Sequence, residues 1–142
     1  MTGLEKALNA FTEHLEKASI PYMLIGGMAN QVWGVPRATL DADLTVWVEP
    51  AAIPKTVRRL SKAFKAFPKN PLEFVEDTRV LPLEVEGVRV DLVFAQLPYE
   101  RDAIQRARRV AMAGKTIKVC TPEDLVFHKL LADRPKDQED LL

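Results

Sequence analysis

The sequence predicts an α/β (α+β) domain, a mixed β-sheet with flanking helices, on three observations. Apolar runs of strand character alternate with amphipathic helical segments, two adjacent runs near 80–94 have the form of a hairpin, and residues 40–48 alternate apolar and polar without a break. Helices between strands permit parallel neighbours, whereas a hairpin forces an antiparallel pair, so the sheet is mixed. With 142 residues, no internal repeat and no linker, one domain over 1–142 is expected.

Thr2 and Glu5 have capping-box spacing, and Leu4, Leu8, Phe11 and Leu15 recur at helical spacing, giving an amphipathic first helix. His14 lies on it with no acidic or Cys partner at ligand spacing, and is assigned no chemistry. Pro21 opens the apolar run Tyr22-Met23-Leu24-Ile25, a short buried strand that leaves through a Gly26-Gly27 turn. Met28 to Trp33 is helical, ended by Gly34, Val35 and Pro36, and a loop with Arg37 and Thr39 follows. In the stretch 40–48, Leu40, Ala42, Leu44, Val46 and Val48 share one face, and Asp41, Asp43, Thr45 and Trp47 the other. Trp33 and Trp47 are expected in the core.

Ile53, Val57, Leu60, Phe64 and Phe67 mark the next helix, with Arg58, Arg59, Lys62 and Lys65 outside; the Pro68 to Pro71 segment breaks it. Val80 to Glu86 and Val88 to Phe94 form the hairpin, turning at Glu86-Gly87. Val88, Val90, Leu92 and Phe94 share a face, which sends Asp91 to the other. Glu100 to Val110 is expected to be a charged helix with Arg106, Arg108 and Arg109 on solvated surface, and Thr116 to Cys120 a short strand. Thr121-Pro122-Glu123-Asp124 combines an N-cap, a Pro at the first helical position and first-turn acids, opening a helix through Leu125, His128, Leu131 and Ala132. A last helix starts at Pro135, but Leu142 follows too soon for it to stand without packing, so the natural chain is expected to continue.

Lys plus Arg number 20 and Asp plus Glu 20, so the whole molecule exerts no pull on nucleic acid or an anionic membrane, and neither DNA nor membrane is expected as a partner. A single cysteine, Cys120, excludes an intramolecular disulfide and a Cys-based zinc site and suits a reducing compartment. With no leader and no apolar run of about 18 residues, the expected location is the cytoplasm.

Asp41 and Asp43 point the same way from one strand, about 6.6 Å apart at roughly 3.3 Å rise per residue. Alone, such a pair most simply marks a polar face. Trp47 on that face, and the Gly pair with 13 residues between it and Asp41, shift the balance. Two close carboxylates repel, and a hard divalent cation offsets their charge through oxygen ligands. Asp91 completes a triad if its strand lies beside theirs. A Gly pair between strand and helix lets backbone N–H groups approach phosphate oxygens.

Ile25-Gly26-Gly27, the spacer and Asp41-Ala42-Asp43-Leu44 together resemble the signature of the DNA polymerase beta-like nucleotidyltransferase superfamily. Arg37-Ala38-Thr39 before the aspartates and the Arg134 to Leu141 segment are most similar to its small bacterial branch, which holds the minimal nucleotidyltransferases and the AbiEii-like proteins of toxin-antitoxin systems. The resemblance implies transfer of a nucleoside monophosphate from an NTP to a hydroxyl on protein or tRNA. It implies that Asp41, Asp43 and Asp91 are catalytic and hold Mg2+ or Mn2+, Asp91 also orienting or deprotonating the hydroxyl. It places Gly26, Gly27, Arg37, Thr39 and Lys129 on the nucleotide, and a cognate toxin or antitoxin among the partners. Met28 stands where many members carry Ser. The alternative is therefore a catalytically inactive binding module, antitoxin-like, that keeps the fold.

Overall fold

The computed structural model describes residues 3–25, 41–112 and 114–132, with side chains of the last helix described as far as Phe127. Five α-helices are described, α1 (Gly3–Lys17), α2 (Ile53–Ala63), α3 (Pro71–Thr78), α4 (Pro98–Arg106) and α5 (Pro122–Ala132), with a short 3-10 helix (Pro50–Ala52) leading into α2. The described strands are β1 (Tyr22–Ile25), β2 (Asp41–Val46), β3 (Lys65–Ala66), β4 (Val80–Val85), β5 (Val88–Phe94), β6 (Arg108–Met112) and β7 (Lys115–Val119). They form one mixed sheet in the order β3-β4-β5-β2-β1-β7-β6. β2 pairs parallel with β5 and β1 parallel with β7; the β1–β2, β3–β4, β4–β5 and β6–β7 pairs are antiparallel. The mixed α+β architecture is the one the sequence predicts.

Alternation decides which sheet face is core. Ala42, Leu44 and Val46 of β2, Val90, Leu92 and Phe94 of β5, and Leu81, Leu83 and Val85 of β4 are all buried, and the pairing registers align them on one face. α1 lies across β4, β5, β2 and β7, and its stripe of Ala7, Leu8, Phe11 and Leu15 joins the same core. Tyr22 from β1 fixes the crossing: its hydroxyl donates to Glu16 of α1 at 3.0 Å and accepts from the Lys118 N–H at 3.3 Å. Burial, with help from Glu16, pushes the Tyr22 phenol up to about 12.

Three elements differ from expectation. The helix placed over Ile53 to Phe67 stops at Ala63, where Phe64 turns extended (φ −135°, ψ 154°) and Lys65–Ala66 pairs with β4. That turn sets the Phe64 ring against Phe11 and His14, each with centroids 5.3 Å apart. After the proline segment, α3 forms where no helix was expected. Asn70 caps it, accepting from the Glu73 N–H at 3.3 Å, Pro71 takes the first turn, and Arg79 at φ 66° ends it.

The helix placed over Glu100 to Val110 is split. α4 ends at Arg106, Ala107 turns extended, and Arg108–Met112 becomes the edge strand β6. Val110 and Met112 alternate with exposed Arg109 and Ala111, the pattern of a half-buried strand. Charged residues on an edge also discourage pairing with another chain. The Gly26-Gly27 turn, the Met28 to Trp33 helix, the Arg37 and Thr39 loop and the Pro135 helix lie outside the described residues.

Candidate active site

One end of the sheet gathers the predicted carboxylates. In the parallel β2–β5 register Asp43 is the partner of Asp91, and Asp41 is the partner of Arg89. Partners in a parallel pair share a face, about 4.8 Å apart, so Asp41, Asp43, Arg89 and Asp91 occupy the corners of one patch. Ile25, the last residue of β1, is the antiparallel partner of Asp43. The chain therefore leaves β1 toward Gly26 and Gly27 at this end. Asp41 is exposed, while Asp43 and Asp91 are half-buried.

Arg89 is the residue here that sequence alone did not flag. Its Nε donates to Asp91 Oδ1 at 3.0 Å, and its guanidinium carbon lies 5.6 Å from the centre of the Phe67 ring. The signal was available: Arg89 precedes Asp91 by two positions on a strand and so must share its face. Arg89 thus pairs with one of the three carboxylates and offsets part of the negative charge of the patch.

The donor set suits a hard divalent ion, since every candidate ligand is a carboxylate oxygen. Among the described residues, however, no three His, Cys, Asp or Glu side chains form a group able to hold a metal ion as they stand. The register supplies neighbouring donors, and Arg89 holds one oxygen of Asp91. Of the other predicted site residues, Gly26, Gly27, Arg37 and Thr39 lie outside the described residues, and Lys129 lies on α5, beyond the side chains described there.

α5 also starts at this end of the sheet, because β7 runs parallel to β1 and the Cys120 N–H donates to the Leu24 carbonyl at 3.0 Å. Thr121 caps the helix as its sequence predicts, accepting from the Asp124 N–H at 3.1 Å. Asp124 does more than complement the helix dipole. It is buried and accepts from the Tyr99 hydroxyl at 2.7 Å and from Arg106 at 2.8 and 3.2 Å. Burial alone would raise its carboxyl; the hydrogen bonds from Arg106, Tyr99 and Thr121 and the Arg106 charge outweigh this and hold it below the usual carboxylate range. Arg106, expected on solvated surface, thus ties α4 to α5. Burial pushes the Cys120 thiol up to about 12, so it remains protonated and inert near neutrality.

No described helix is long and apolar enough to cross a membrane. No curated protein matches the chain at significance. Among solved structures, it is similar to an antigenic nucleotidyltransferase-like protein from Paracoccidioides brasiliensis (TM-score 0.65, 20% identity, covering 98% of this chain and 72% of that one). It is also similar to a Thermotoga maritima protein assigned as a nucleotidyltransferase (TM-score 0.63, 19% identity, 94% and 87% covered). A third is ANT(2″)-Ia in complex with adenylyl-2″-tobramycin (TM-score 0.60, 17% identity, 98% and 85% covered). At these identities what is shared is the fold. The family assignment comes from the sequence itself: matched over residues 1–142, the chain belongs to the family described as nucleotidyltransferase of unknown function (DUF6036).

Proposed function

We propose that residues 1–142 form one nucleotidyltransferase domain that moves a nucleoside monophosphate from an NTP to an acceptor hydroxyl on protein or RNA in the cytoplasm, with Mg2+ or Mn2+ bound. The observation that carries this is the parallel register that sets Asp91 beside Asp43 on the face bearing Asp41. In the reaction the acceptor oxygen forms a bond to the α-phosphorus, the bond from that phosphorus to the oxygen bridging to the β-phosphate breaks, and its electron pair leaves with pyrophosphate. The acceptor proton passes to the Asp91 carboxylate, whose orientation Arg89 fixes by holding Oδ1. A divalent ion, when bound by Asp41, Asp43 and Asp91, supplies positive charge to the attacked phosphate and the leaving group.

Gly26 and Gly27 seat the triphosphate, following directly on Ile25 opposite Asp43. Arg37, Thr39 and Lys129 contact the nucleotide. ANT(2″)-Ia with its adenylylated aminoglycoside is a similarly folded protein bound to a product of this class of transfer. A toxin-antitoxin setting, with a cognate protein as partner, fits the Arg37 to Asp43 motif.

Incubation with labelled NTPs, magnesium, tRNA and candidate protein acceptors tests the proposal; label in an acceptor together with released pyrophosphate is expected. A second reading, an inactive binding module, is favoured by Met28 in place of Ser. Thermal unfolding with magnesium and NTP separates the two, because a ligand bound by the native state must raise the melting temperature. Absence of both stabilisation and transfer would leave the binding module.

A further inference from the structure

An open cleft of about 490 Å³, within the range of small-molecule sites, adjoins the carboxylate patch on its β4 side. Its walls are Phe67 and Phe74, which expose 49% and 38% of their surface, together with Pro68 and Pro82. Arg89 lines it too and is the residue that holds Asp91. Pro82 is the β4 partner of Asp91 in the sheet. The cleft and the carboxylate thus share two neighbours, one through an ion pair and one through strand pairing. The walls are held in place: the Phe67 N–H donates to the Pro82 carbonyl at 3.1 Å, and Asn70 caps the helix that carries Phe74.

We infer that this cleft is the acceptor subsite and that it takes a nucleobase on a ribose, the ribose hydroxyl facing Asp91. This rests on the transferase proposed above and narrows its acceptor. Exposed phenylalanines supply stacking faces for a flat heteroaromatic ring. Glu73, Asp77 and Lys69 on the rim offer acceptors and a donor to the base edge. The cleft's own lining is charge-balanced, Glu73 and Asp77 against Lys69 and Arg89, so it does not by itself concentrate a polycationic aminosugar. A ribose phosphate instead finds Arg89 between the aromatic walls and the carboxylates.

Photocrosslinking tests this without requiring turnover. The probes are 4-thiouridine monophosphate and a hexauridylate ending in 4-thiouridine with free ribose hydroxyls, competed by AMP, hexa-adenylate, tobramycin or a serine-containing peptide. Adducts are expected on the peptide spanning Phe67 to Phe74. Competition by AMP identifies a mononucleotide acceptor, and stronger competition by hexa-adenylate an RNA end. Phe74→Ala and Phe67→Ala each reduce the adduct at least fivefold while Phe74→Trp retains it, and NTP-induced thermal stabilisation is unchanged in all three. Adducts that are absent, map elsewhere, survive both alanine variants, or are displaced by tobramycin or the peptide overturn the inference. Failure of NTP to stabilise even the wild type instead defeats the transferase proposal, and a cleft adduct found alongside it still establishes nucleobase binding.

Discussion

Asp91 and Asp124 are both acids beside positive charge, yet their surroundings differ. Asp91 is half-buried at the patch, with one oxygen on a half-exposed Arg89, an ion pair worth about 0–1 kcal/mol to stability. If the proposed transfer takes place at this patch, Asp91→Asn, and likewise Asp41→Asn or Asp43→Asn, cuts kcat about 100-fold to 10,000-fold. The stability read from the urea midpoint should move by no more than about 1 kcal/mol, because the loss of pairing at the patch and the relief of like-charge repulsion oppose each other; kinetics and urea melts on the same preparations check both. Asp124→Asn should do the reverse. It weakens a buried acceptor of three side-chain hydrogen bonds, costing about 1–3 kcal/mol in urea unfolding, with kcat near wild type where the protein is folded. Sequence showed the face of Asp91 through alternation with Val90 and Leu92, since a strand's period of two needs no partner to be read. It did not show the role of Asp124, because Tyr99 and Arg106 lie on another helix and only packing brings them there.

At the level of elements, strong periodicity was legible and local chemistry at the boundaries was not. α1 and the β4–β5 hairpin follow directly from apolar spacing, and their residues fill the core. β6 was hidden because its charges extend those of α4, and a run of Arg fits either element when its apolar partners are only Val110 and Met112. α3 was hidden behind Pro71, read as a breaker, although a proline after Asn70 with Glu73 following is also a helix start. The difference in burial between central and edge strands predicts their energetics. Leu44 on β2 is fully buried, so Leu44→Ala should cost about 2–5 kcal/mol. Val110 on β6 is only half-buried, and Val110→Ala should cost under about 1 kcal/mol by the apolar area it removes from water. Urea midpoints at constant m-value test the contrast.

For the whole molecule, what the sequence withholds is the order of strands. β5 lies beside β2 although two α-helices, a 3-10 helix and two strands intervene in the chain, so no local pattern reveals that Asp91 is the register partner of Asp43. Global charge is legible, and it is balanced near pH 7; the pH dependence of stability near neutrality therefore belongs to individual groups rather than to net repulsion. Burial, reinforced by Arg59 and Lys17, holds His14 below its ordinary value, and its buried Nε2 has no hydrogen-bond partner among the described residues. The native state thus prefers neutral His14, and the unfolded chain binds the extra proton first, at about pH 6.5. Stability is then complete above that value and falls as pH drops below it, until native His14 also protonates. Asp124 produces a second decline: its depressed carboxyl contributes above the unfolded value of about 3.9, and that contribution is lost as pH falls through the native one. Urea unfolding between pH 3 and 8 should show a plateau above about pH 7, a first limb that disappears in His14→Gln, and an acid limb that shrinks in Asp124→Asn. A first limb that persists in His14→Gln would assign it to another group, since Glu13, also lowered by Lys17 and Lys115, titrates only in the acid range.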